Sequence, residues 1–160
     1  MISLGLLGSL YYIWKSGLRN ITAVYNVEFC GLGDFLAIWP IRGDEANLPA
    51  VKELEKATTQ LSLPFKLVRI PWILLSSDHL SFRLSGMSNS LSLSLLPASQ
   101  IPVVESFLEG LSILKLLIGQ RPTLPEPLCY INTFEDTSTR LNENSLRLML
   151  SLLLELIKER

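Results

Sequence analysis

The chain has 160 residues, 48% of them hydrophobic and 18% charged, with a net charge of −1. That length suits one domain with a real core, and that composition excludes a disordered chain. The balance of 14 basic against 15 acidic residues offers nothing to a phosphate backbone, which argues against nucleic acid as a partner.

"MISLGLLGSLYYIW" opens the chain without a charge until Lys15. It lacks the basic start and small-residue cleavage site of a signal peptide, and it is too short to span a bilayer. The expectation is a buried helix over 4–16 in a soluble, cytoplasmic protein, stopped at Gly17. "ITAVYNVEF" (21–29) is β-branched and aromatic and predicts a buried strand. "GLGD" (31–34) is a turn, and "FLAIWPI" (35–41) a second strand, placed near a sheet edge because Pro40 cannot donate to a ladder. Arg42, Asp44 and Glu45 form a solvated loop.

"NLPAVKELEKATTQL" (47–61) predicts a helix capped by Asn47, with Pro49 in its first turn and Val51, Leu54 and Leu61 along one face. "FKLVRI" (65–70) is a short strand. "SLSLSLL" (90–96) alternates, with Leu91, Leu93 and Leu95 on one face and Ser90, Ser92 and Ser94 on the other. "PVVESFLEGLSILKLLIG" (102–119) predicts a helix and "RPTLPEP" (121–127) a connector. The last helix, about 143–158, carries two apolar stripes. One is Leu146, Met149, Leu150, Leu153 and Ile157; the other is Leu148, Leu152 and Leu156. Such a helix is buried on more than one side or meets a partner chain. Strands interleaved with helices give an α/β layered domain, 1–160, with a mixed sheet.

The stretch "SSDHLSFRLSG" (76–86) holds the single histidine, His79, directly after Asp78. Ser77, Asp78 and His79 are neighbours in sequence, so they cannot converge as a hydrolase triad does. No GxSxG, GxGxxG or phosphate-binding loop occurs. One histidine with Cys30 and Cys129 far apart cannot form a Cys/His metal cluster, and the cysteines read as buried free thiols. In the plain reading Asp78 caps the helix "HLSFRLS" and His79 is a partly buried residue with a local partner. Glu28 is a strand-end acid in need of a partner. Asp136 pins the turn before the last helix. Trp14, Trp39 and Trp72 are core or pocket-wall residues.

Four stretches in order resemble the zinc-dependent aminopeptidases, the co-catalytic zinc exopeptidases with glutaminyl-cyclase-like relatives. "LGLLGS" (4–9) looks like the helix after that family's Glu-Glu pair. "YNVEFCGLGD" (25–34) looks like the strand whose acid ligates zinc, which makes Glu28 that acid. "SSDHLSFRLSGMSNSLSLS" (76–94) resembles the family's "SDHxPFxxxGIPA" segment, and "INTFEDT" (131–137) its late "HTxxDT". The resemblance implies the C-terminal half of a zinc exopeptidase (phosphorylase/hydrolase-like) domain. It implies zinc as the family's cofactor and places Asp78 and His79 beside the metal, acting through hydrogen bonds and pocket shape.

The departures decide what activity the resemblance implies. The Glu-Glu pair, general base and ligand, would fall on Ile2 and Ser3. The late histidine ligand would fall on Asn132, whose amide lacks a basic nitrogen lone pair. Glu28 is the ligand position that keeps its acid, while a catalytic zinc normally has three protein ligands. No cofactor is therefore expected in this chain, and the expected function is a truncated metallopeptidase-like protein, inactive by itself. Two alternatives stand beside it: a non-catalytic protein- or peptide-binding module on the same fold, or one half of a split peptidase. The family's first strands have no counterpart here, so a homo-oligomer or a separate partner should cover the missing half of the sheet. No membrane partner is expected.

Overall fold

The computed structural model describes residues 6–39, 45–69, 77–110, 123–126, 128–130, 134 and 137–158. In chain order they form α1 (Leu6–Ser16), β1 (Val24–Val27), β2 (Phe35–Trp39), α2 (Pro49–Gln60), β3 (Phe65–Leu67), α3 (Asp78–Leu84), β4 (Ser90–Leu96), α4 (Ile101–Glu109) and α5 (Glu143–Lys158). The fold is α/β, as the alternation of patterns predicts. The sheet is mixed, with strand order β1-β4-β2-β3. β1 runs parallel to β4 and β3 parallel to β2, while β2 and β4 are antiparallel.

β4 is the strand on which both layers depend. Its seven residues are buried on both faces. Leu91, Leu93 and Leu95 join Leu36 and Ile38 of β2 in a core closed by Val51 and Leu54 of α2 and by Met149, Leu152 and Leu156 of α5. Leu96, on the opposite face, joins Ala37, Trp39 and Val68 in a smaller core closed by Ile101, Val104 and Leu108 of α4. The serines of β4 sit on that second face, where a buried hydroxyl costs free energy unless it is bonded. Each has a partner. Ser90 Oγ donates to the His79 carbonyl at 3.1 Å, Ser92 Oγ accepts from Asn26 at 3.2 Å, and Ser94 Oγ accepts from Trp39 Nε1 at 2.7 Å.

Several expectations are refined. β2 is an inner strand, bonded to β4 on one side and β3 on the other. The described strand runs to Trp39, and Pro40 lies outside the described residues. The α2 cap is Leu48 rather than Asn47, and it makes no side-chain bond. The cap oxygen comes from Asn89 instead, whose Oδ1 accepts the Ala50 N–H at 2.8 Å. Cys30 and Cys129 are free thiols, half-buried rather than buried. α1 does end at Gly17, which adopts φ +68° and donates its N–H to the Ile13 carbonyl at 2.9 Å. In the "GLGD" turn, a Cβ on Gly33 would lie 2.1 Å from the Leu96 backbone, so only glycine lets the turn approach β4 this closely. Among the described residues no helix is long and apolar enough to cross a membrane. Residues 111–122, Trp72, Asn132 and Asp136 lie outside the described residues.

Candidate functional site: a buried polar network around His79

The site begins with one polar residue in an apolar strand. Asn26 is the third residue of β1, in register with Ser92 of β4. Its Nδ2 lies 2.7 Å from Ser77 Oγ, 2.9 Å from Glu28 Oε1 and 3.2 Å from Ser92 Oγ. An amide nitrogen has two hydrogens, so these three oxygens share them. The amide thereby ties β1, β4 and the start of α3 together. Glu28 follows one residue after β1 ends at Val27, and its carboxylate turns back to the Asn26 amide.

Ser77 continues the network. It is the N-cap of α3, but its hydroxyl does not cap the helix. Ser77 Oγ lies 2.7 Å from His79 Nδ1. Ser77 Oγ accepts from Asn26 and keeps one lone pair and one hydrogen, shared between His79 Nδ1 and Ser92 Oγ, which lies 3.4 Å away. Asp78 is the first helical residue rather than the cap, and its Oδ1 accepts from Ser9 Oγ of α1 at 2.7 Å. Ser9 also meets Ser81 Oγ at 2.9 Å. The expected Asp-His pair is therefore divided. The acid is tied to α1 and the imidazole to Ser77.

His79 is fully buried, not partly buried, and Ser77 is 5% exposed. Next to Glu28, Phe29 holds a left-handed backbone with φ 51°, which costs a non-glycine residue roughly 1–2 kcal/mol. Two bonds beyond the regular ladder keep it there: Glu28 N–H to the Leu93 carbonyl at 2.9 Å, and Leu95 N–H to the Phe29 carbonyl at 3.1 Å. The Phe29 ring packs against the smaller core.

The structure thus brings Glu28 and His79 into one network, joined through Asn26 and Ser77, and sets Asp78 on its outer side. Trp39 is in the core, whereas Trp14 is 80% exposed, against expectation. Asn26 and Ser9 were not singled out from the sequence, while Ser77 entered only as a rejected triad member and Ser92 only as part of the serine face of its strand. Asn26 was the legible one, as the amide inside "AVYNV". Glu28 accepts from the Asn26 amide, and the described residues hold no group of three His, Cys, Asp or Glu side chains of the kind a catalytic zinc takes.

Two adjoining clefts lie elsewhere, meeting at Leu32 and Pro97. One, of about 370 Å³, is lined by Gly33, Asp34, Asn142, Asn144 and Ser145, and the other, of about 330 Å³, by Gln100, Glu126, Tyr130 and Arg140. In the second, the Tyr130 hydroxyl donates to Glu126, and the Arg140 guanidinium lies 4.1 Å from the centre of the tyrosine ring. The hydrogen bond to the Glu126 carboxylate raises the Tyr130 phenol above its ordinary value. No family model matches the chain, and neither does any curated protein or solved structure.

Proposed function

We propose that this chain is a zinc-exopeptidase-like domain without catalysis of its own, which works by binding a second copy of itself. The buried network carries the non-catalytic part. Glu28, Asn26, Ser77 and His79 satisfy one another inside the fold, and Asp78 is held by Ser9. Groups spent in this way link strands and helices, and a substrate would have to break those links to reach them. The reading is tested on purified protein, by elemental analysis for zinc and by hydrolysis of aminoacyl amides. Zinc well below one equivalent and no turnover are expected. Stoichiometric zinc together with hydrolysis would sink it.

The outer face of α5 supports the partner. Met149, Leu152 and Leu156 turn into the core and Leu153 packs half-buried against it, leaving Leu146, Leu150, Leu154 and Ile157 at 39%, 57%, 48% and 69% exposure. Positions 146, 150, 154 and 157 are spaced four, four and three, one exposed apolar stripe along the helix. An antiparallel two-fold pairing sets Leu150 of one copy against Leu154 of the other, and Leu146 against Ile157. The stripe is its own complement, as a two-fold interface demands.

A further inference from the structure

α1 is inverted for a helix on the surface of a globular protein. Its one buried residue is a serine, Ser9, bonded to Asp78 and Ser81 of α3. Its best apolar stripe is Leu7, Leu10, Tyr11 and Trp14, at i, i+3, i+4 and i+7, and that stripe faces outward. The four are 58%, 43%, 56% and 80% exposed. A surface helix normally does the reverse. Tyr12 adds an inner contact, its ring 6.2 Å from that of Phe82.

The charges that α1 and the residues just after it carry have one sign. No aspartate or glutamate occurs before Glu28, whereas Lys15 and Arg19 follow the stripe and are exposed. Lys15 Nζ lies 5.9 Å from the centre of the Tyr11 ring, at the border of the apolar face. This arrangement opposes self-pairing, because a two-fold contact through the outer face of α1 would bring two cationic borders together with no acid of α1 to meet them, Asp78 being held on the inner side by Ser9. It matches a surface that is apolar below and negative above. Tryptophan and tyrosine suit the same boundary, with a ring in the acyl region and a polar tip in the headgroups.

We infer that α1 lays its Leu7–Leu10–Tyr11–Trp14 face on an anionic lipid surface, with Lys15 and Arg19 meeting the headgroups. At 11 residues, or about 16 Å, the helix lies in the interface plane and does not cross it. The docking is independent of the fate of the His79 network and uses a different element from α5.

Co-sedimentation of the full chain with vesicles tests it, comparing phosphatidylcholine alone with phosphatidylcholine mixed with phosphatidylserine. Binding to the mixed vesicles is expected, weakening with salt, with a blue shift of tryptophan emission. Leu10→Glu and Trp14→Ala should abolish it. Lys15→Ala and Arg19→Ala, both at exposed positions, should each weaken it about fivefold. Circular dichroism establishes that each variant is folded. Equal binding to both vesicle types, unchanged binding by Leu10→Glu, or no binding at low salt would each overturn the inference. So would shielding of Trp14 from acrylamide without vesicles, which would give this face to a protein partner.

Discussion

Asn26 is the residue through which the site holds together, and it shows how a single polar side chain can set the geometry of several neighbours. Its amide serves Ser77, Ser92 and Glu28 at once. Asn26→Leu keeps the size and removes the donor, leaving buried oxygens with one bond fewer. The expected loss is about 1–3 kcal/mol of folding stability, read from urea unfolding. A change within about 0.5 kcal/mol would show that the network is not a stabilising link. The motif reading found His79 and Glu28 because rare or charged residue types stand out in a chain this apolar. It named Ser77 only to dismiss a triad and passed over Ser9, since a serine is informative only once its neighbours in space are known. It also misassigned the cap. Serine and aspartate both cap helices, and the choice between Ser77 and Asp78 turned on Ser9, 69 positions away.

Among elements, periodicity was the reliable guide and capping the unreliable one. The alternation in "SLSLSLL" marked β4 at both ends, Ser90 to Leu96. The 3.6-residue pattern marked α5 to within a residue. β1 came out shorter than its β-branched run, since pairing with β4 sets its length and not propensity. α2 is the instructive case. Its first turn is served by Asn89, which also donates Nδ2 to the Thr22 carbonyl at 2.9 Å, so one amide clamps the helix start to the approach of β1. Asn89→Ala should therefore cost about 1–2 kcal/mol in thermal unfolding. Asn47→Ala, the substitution that local sequence rules favour as damaging, should stay within about 0.5 kcal/mol.

At the scale of the whole molecule, the fold class was legible because strands and helices alternate along the chain. Strand order was not, because it depends on which strands find each other across long stretches of sequence. That is how β2, read as near an edge, became an inner strand. The two outward apolar faces make separate demands: the α5 stripe matches itself and the α1 stripe does not. Light scattering at micromolar concentration should give the mass of two chains, and Leu150→Glu should give the mass of one while leaving the fold intact. A monomeric parent protein would remove the α5 pairing and leave the α1 proposal standing.

The position of β4 also has a consequence in time. β1 finds its partner 66 positions later, and β2 must wait for the same strand on one of its sides. On a ribosome adding roughly 5–20 residues per second, β1 would emerge about 3–13 s before β4. During that interval the nascent chain presents an unpaired apolar strand behind a helix with an outward tryptophan. Such a chain has to be shielded, by a chaperone or by a surface already under α1, until the serine-leucine strand arrives and closes the sheet.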